Sequence, residues 1–296
     1  MQTAVTSSTS APNMPDPART YHFISGLPRS GSTLLSAILR QNPRFHAGIS
    51  SPVASLATGL LGQVSAGSEF ASLVDAGQRR ALLRGLFDAY YADHPQQVVI
   101  DTNRQWCGKL PLLRDLFPDS KVIACVRNVA WVMDSIERLY RANPYENTRL
   151  FNHAGGRGSV YTRLEGLIQH DQMVGSAWAA LREAYYGEQA ESLLVVDYDL
   201  LSRAPQQVIP LIYDFLGEPG FEHDFEHIEY DAVDFDLQLG VPGLHRVRAK
   251  VEFQGRRTIL PPDLFEKYSK LSFWGDRNGS RANVISNQPA LPGTPS

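Results

Sequence analysis

Residues 23–35 read FISGLPRSGSTLL. An apolar run ends at Gly26, a short polar loop follows, and Thr33-Leu34-Leu35 opens a segment with helical spacing. The order predicts strand, loop and helix, and the loop spacing is Gly26-x4-Gly31-Ser32-Thr33. Glycines let the backbone turn tightly, and successive N–H groups at a helix start point at an anion. A nucleoside triphosphate loop carries lysine before the final Ser or Thr, where it reaches the outer phosphates. Here Ser32 holds that place. Arg29 supplies a planar fork matched to phosphate or sulfate oxygens, and Ser30, Ser32 and Thr33 add hydroxyls. Pro28 to Thr33 are therefore the first candidate binding residues, for a phosphate-like anion without an evident triphosphate–magnesium requirement.

Outward from this stretch, short apolar runs alternate with amphipathic segments. YHFIS (21–25), QQVVID (96–101), KVIACVR (121–127) and SLLVVDY (192–198) are strand candidates. TLLSAILRQ, NVAWVMDSIERLYRA and PQQVIPLIYDFLGE follow three of them with helical periodicity, and residues 159–188 fit one or two helices more. Strands alternating with helices predict an α/β fold: a P-loop-type parallel sheet flanked by helices, in a single domain. That domain is expected over 21–277. The Ser/Thr/Pro-rich residues 1–20 read as a disordered tail, and 278–296, rich in Asn, Ser and Pro, as a flexible one.

Composition narrows the function classes. Of the 296 residues, 43% are hydrophobic and 20% charged, the balance of a globular chain with a real core. A net charge of −3 argues against a dedicated nucleic-acid binder. Cys107 and Cys125 form no CxxC pair, so neither a zinc site nor a disulfide framework is suggested, and no metal is expected. His223 and His227 stand four apart but lack a metal-site glutamate, and read as acidic surface. No run of about 18 apolar residues is present to span a membrane. The first residues lack the apolar core of a secretory signal, so the expected location is cytoplasmic.

Arg127 ends the third strand candidate and Ser135 follows eight residues later in a helix. Strand carboxyl ends are where open α/β sheets bind ligands. These residues and the first loop together resemble the sulfotransferase family, in particular bacterial members similar to tyrosylprotein sulfotransferases. GLPRSGSTLL is similar to that family's 5′-phosphosulfate loop, and VRNVAWVMDSIERL to its 3′-phosphate element. The resemblance implies that Arg127 and Ser135 clasp the 3′-phosphate of 3′-phosphoadenosine 5′-phosphosulfate (PAPS), and that Tyr198 lies near the adenine. Trp178, the layout of 204–221 and GLHRVRAKVEFQGRRTILPPDLF extend the similarity to about Trp274. The donor's single 5′-phosphate, bonded to sulfate, then explains the missing lysine. The implied partner is an acceptor hydroxyl on peptide tyrosine, carbohydrate or a small metabolite. Homodimerisation, common in such families, is an expectation of the resemblance alone.

Sulfuryl transfer needs a proton acceptor and positive groups beside the sulfuryl oxygens. Arg29 is the first such group. Arg104, in VVIDTNRQW, stands where the tyrosylprotein enzymes carry lysine. Those enzymes use a glutamate twenty-one residues after the loop arginine, and that position here is Ser50. Asp101, at a strand end beside Arg104, is the preferred replacement base, with His46 and His245 as alternatives. Arg246, Arg248, Arg256 and Arg257 form a basic cluster that contacts the 3′-phosphate or an anionic acceptor, or is simply solvated. Two rival functions are carried alongside. One is a small-molecule kinase using Mg·ATP, with Asp197 as the magnesium carboxylate. The other is a catalytically silent nucleotide-binding homologue, motivated by Ser50.

Overall fold

Period-two alternation along the strands divides the core between two faces of one sheet. Phe23, Val99, Val122, Ala124, Val126, Leu193 and Val195 are buried on one face; Ile24, Val98, Ile100, Ile123, Cys125, Leu194 and Val196 are buried on the other. Such doubly buried, β-branched runs are what a parallel sheet covered by helices requires. The structure, a computed structural model, describes residues 19–65, 67–143, 145, 158–230, 232–239, 241 and 243–286. Among these the strands are β1 (Thr20–Gly26), β2 (Phe45–Ala47), β3 (Val98–Thr102), β4 (Val122–Val126), β5 (Leu193–Asp197) and β6 (Asn283–Ile285). Their order is β2-β3-β1-β4-β5-β6, and every neighbouring pair is parallel.

The helices begin with α1 (Ser32–Leu39), α2 (Val53–Val64), α3 (Ala76–Tyr90), α4 (Leu110–Leu116) and α5 (Val129–Ala142). They continue with α6 (Val160–Leu167), α7 (Met173–Tyr186), α8 (Tyr198–Arg203), α9 (Pro205–Leu216), α10 (Val233–Leu239) and α11 (Pro262–Ser269). Helix α1 and helix α9 cover one face through Leu35, Ile38, Val208 and Ile212. Val53, Phe87, Leu113, Val132, Leu181 and Leu264 bring α2, α3, α4, α5, α7 and α11 onto the other. None of the described helices is long and apolar enough to cross a membrane.

The four strand candidates and the parallel α/β class are as expected. Strand β6 is a difference: Asn283–Ile285 add an edge strand beside β5, so the sheet runs past residue 277 into the stretch read as a flexible tail. Its polar flanks suit an edge position, where one side of the backbone faces solvent, and polarity alone misread it. Residues 1–18 and 287–296 of the expected tails lie outside the described residues.

The topology fixes where chemistry collects. Four adjacent strands, β3, β1, β4 and β5, lie side by side in that order. Their carboxyl ends lead into Arg104, the 26–31 loop, Arg127 and Tyr198 respectively. Strand order reverses at β1, and the crevice beyond such a point is the ligand site of open α/β sheets.

Candidate active site

The loop after β1 is held in a shape few sequences allow. Gly26 takes φ +105°, and a Cβ there would lie 2.2 Å from the Cys125 carbonyl oxygen. Gly31 takes φ +91°, and a Cβ there would meet the Tyr198 ring at 2.5 Å. Both glycines are thus demanded by backbone and by space. Arg29 is the one non-glycine with positive φ among the described residues, at 59°. Holding an arginine in that region costs about 1 kcal/mol or more and points to a constrained loop. Gly31 caps α1 without a side-chain acceptor, which leaves the helix start to another partner.

A cavity of about 720 Å³ opens above this loop. Of the predicted site residues, Pro28, Arg29, Gly31, Ser32, Thr33, Arg104, Arg127, Ser135 and Tyr198 all line it. Ser30 does not; it is buried, and its hydroxyl donates to the Pro28 carbonyl at 3.3 Å, bracing the loop from within. Arg29 Nε donates to Ser135 Oγ at 3.1 Å, so the loop and the Arg127/Ser135 element meet directly. Burial, with Arg256 and Arg127 nearby, pushes the Arg29 guanidinium down to about 10; it stays charged at neutral pH. Arg104 faces the cavity from the β3 end, and desolvation lowers its pKa too.

Arg127 is only 8% exposed. Its guanidinium lies 4.6 Å from the Tyr198 ring centroid and 5.9 Å from that of Trp131. Its Nε stands 3.4 Å from Asp199 Oδ1, yet neither atom makes a hydrogen bond among the described residues. A buried cation with unspent donors, floored by aromatic faces, suits a phosphate ligand. From the far side, residues 243–256 cross the cavity and contribute His245, Arg246, Arg248 and Arg256. Arg257 does not line it; its carbonyl accepts from Arg138.

His245 brings a proton acceptor. Its Nδ1 lies 2.6 Å from Asp236 Oδ1, and its backbone N–H donates to Asp236 Oδ2 at 2.9 Å. A carboxylate on Nδ1 fixes the tautomer in which Nε2 accepts. Burial, reinforced by Arg29 and Arg104 and opposed by Asp236, lowers the His245 pKa below 6.5. The imidazole is therefore neutral at pH 7.

Asp101, the expected base, does not open onto the crevice. It is 1% exposed and does not line the cavity. Trp106 Nε1 donates to its Oδ1 at 2.7 Å, and the hydroxyls of Ser51 and Tyr91 both donate to its Oδ2 at 2.5 Å. Saturated and enclosed, it pins the Ser50–Ser51 turn and the Arg104 loop. Residue 101 lies in a strand buried along its whole length, so its strand-end position did not bring the carboxylate to the crevice. His46, half-buried against His94 and Tyr91, also lies outside the cavity, whereas Ser50 lines it. Trp178, partly buried against the core, donates to the Leu271 carbonyl at 2.8 Å. Asp197 caps α8 by accepting from the Asp199 and Leu200 amides, so the carboxylate required by the kinase reading is engaged in a helix cap. His223 contacts Tyr213 and His227 contacts Asp224, and no metal-holding cluster occurs among the described residues. Sequence reasoning did not single out Asp236; it stood in an acidic, aromatic stretch, 221–236, that read equally as an acceptor groove or a surface loop.

The sheet and crevice define a parallel α/β protein with an arginine-rich cavity at the carboxyl ends of its strands. The chain belongs to the sulfotransferase family: the family model described as "Sulfotransferase family" matches residues 22–223. His245 lies beyond that span, so its place in the site comes from the structure. No curated protein sequence matches the chain significantly. Among solved structures, the sulfotransferase domain from the curacin biosynthetic pathway is 19% identical, with TM-score 0.52, covering 86% of this chain and 92% of that one. It shares the fold. A sulfotransferase from Alicyclobacillus acidocaldarius is 20% identical, covering 75% of this chain and 90% of that one with TM-score 0.44. A retinol dehydratase solved with retinol and PAP is 14% identical, covering 86% and 81% with TM-score 0.42.

Proposed function

We propose that this chain transfers a sulfuryl group from PAPS to an acceptor hydroxyl, with His245 as general base. The observation that carries the reading is the meeting of the Arg29 loop, the Arg127–Ser135 element and His245, held from behind by Asp236, at one cavity. The loop and the α1 start receive the donor's 5′-phosphosulfate. Arg127, Ser135 and Arg256 receive the 3′-phosphate, and Tyr198 and Trp131 offer faces beside it. The acceptor enters on the His245 side. Neutral His245 takes the hydroxyl proton as the acceptor oxygen attacks sulfur. The bond from sulfur to the bridging phosphate oxygen breaks, and adenosine 3′,5′-bisphosphate leaves with the electron pair. Arg29 and Arg104 stabilise the charge on the sulfuryl and bridging oxygens, as positioned cations do in phosphoryl transfer. Asp236 holds the imidazole and stabilises its charged form. A residue other than the family's glutamate thus does the base's work, which accounts for Ser50.

The test is turnover with labelled PAPS against tyrosine peptides, carbohydrates and small hydroxylated metabolites. Arg127→Ala is the diagnostic variant. It should weaken adenosine 3′,5′-bisphosphate much more than AMP, by about 2 kcal/mol for a charge-assisted contact. Equal weakening of both nucleotides would remove the 3′-phosphate assignment.

A further inference from the structure

Beside Ser135, on the same turn of α5, stands a carboxylate that nothing so far has used. Asp134 is fully buried. Its Oδ1 accepts from the Ile259 amide at 2.7 Å and the Thr258 hydroxyl at 3.0 Å. Its Oδ2 accepts from Arg138 Nε at 2.9 Å and meets Arg256 Nη2 at 2.8 Å. Three of these four partners belong to residues 256–259, which have no regular secondary structure. A buried carboxylate is costly unless its lone pairs are filled, so this segment and α5 complete one another.

Arg256 lines the cavity, and its guanidinium lies 5.6 Å from the Trp131 ring centroid, the ring that Arg127 also approaches. Trp131, Asp134 and Ser135 are spaced i, i+3 and i+4, one face of α5. That face therefore presents a ring between two arginines, a carboxylate gripping one of them, and a hydroxyl bonded to Arg29. The arginine on the covering segment has no sheet or helix to set its position; the carboxylate sets it.

We propose that Asp134 is a positioning residue that latches residues 256–259 onto α5 and holds Arg256 at the donor's 3′-phosphate beside Arg127 and Ser135. The proposal rests on the PAPS reading of the cavity. Asp134 touches no substrate; it acts through Arg256.

Calorimetric titration of the full chain with adenosine 3′,5′-bisphosphate and with AMP tests it. Asp134→Asn should weaken the bisphosphate about tenfold and AMP by less than about threefold, the order expected for one displaced charged contact. Arg256→Gln should do the same, and the double variant should be no weaker than Arg256→Gln alone, because the two residues act as a unit. Equal weakening of both nucleotides, or losses that multiply in the double variant, would overturn the latch. If Asp134→Asn does not fold, Thr258→Val keeps the carboxylate and removes one donor. A loss confined to the bisphosphate supports the latch, and unchanged bisphosphate affinity refutes it. A wild-type protein with no preference for the bisphosphate would instead refute the donor reading. Hydrogen exchange of the Ile259 amide in ligand-free protein then decides the latch separately: faster exchange in the Asp134 or Thr258 variant supports it, and unchanged exchange in that variant refutes it.

Discussion

Replacing Asp101 separates a structural carboxylate from a catalytic one. Alanine there would strand three buried donors: the Trp106 indole N–H and the hydroxyls of Ser51 and Tyr91. Each stranded donor costs about 1–3 kcal/mol. Two of the three are hydroxyls that can rotate toward other acceptors. Removing a carboxylate whose pKa burial raises also returns some desolvation energy. The net loss for Asp101→Ala is therefore about 3 kcal/mol, near the lower bound of that sum. Asparagine keeps the volume and one acceptor, and the hydroxyls can turn to accept from its amide, so its cost is about 1–2 kcal/mol. At about 2–4 °C per kcal/mol for a domain of this size class, alanine lowers Tm by about 6–12 °C. Urea melts give the stability, and initial rates of bisphosphate release, well below both melting points, give the turnover per folded enzyme. Asp101→Asn should retain turnover within about threefold of wild type, because its carboxylate lies outside the cavity. A variant that melts like wild type yet loses about a hundredfold in turnover would restore Asp101 as the base and refute the assignment to His245.

His245→Ala should lower turnover by about 10²–10⁴, the usual range for a lost general base, with bisphosphate affinity nearly unchanged. Its pKa lies below 6.5, so kcat/KM should hold above that pH and fall on the acid side as the imidazole protonates. Asp236→Asn should move that acid limb lower still, since the aspartate raises the pKa; an acid limb that stays put would separate the two residues. Stability carries its own pH signature at His22, 1% exposed, whose Nδ1 accepts from the Lys121 amide. Burial, then Lys121, lowers its pKa to about 4. The unfolded chain binds that proton first, so the contribution is present above pH 6.5 and lost as pH falls toward 4. The loss by pH 4 is about 3 kcal/mol, and His22→Asn should flatten that part of the stability curve in urea melts.

What the sequence disclosed follows from how locally each feature is encoded. The loop at 26–31 was legible because glycine positions, strand and helix all lie within one short stretch. Four strands were legible because apolar runs bounded by polar residues name themselves. Strand β2 escaped because three residues, Phe45–Ala47, carry no period to read. Strand β6 escaped because an edge strand tolerates the polarity that otherwise marks a tail. Arg127 and Ser135 could be named because their spacing beside the first loop resembles the sulfotransferase 3′-phosphate element, and their meeting with Arg29 needed only the helix after β4 to pack back across the edge. Where the Asp101 carboxylate points was not legible, because strand-end position does not say which way a side chain faces. Asp101 turns into a cage of donors, while His245 reaches the cavity from an irregular segment whose partner, Asp236, sits on a short helix nine residues earlier. Asp134 was invisible for a related reason: three of its four partners lie more than a hundred residues away, at Arg256, Thr258 and Ile259.

A two-phosphate nucleotide site without a triphosphate requirement is read out by calorimetry on the wild-type chain. Adenosine 3′,5′-bisphosphate, AMP and Mg·ATP are titrated in parallel. Binding of the bisphosphate at least about tenfold tighter than AMP, with Mg·ATP no better than AMP, is the predicted result. Preferential binding of Mg·ATP, or equal binding of the bisphosphate and AMP, would contradict it.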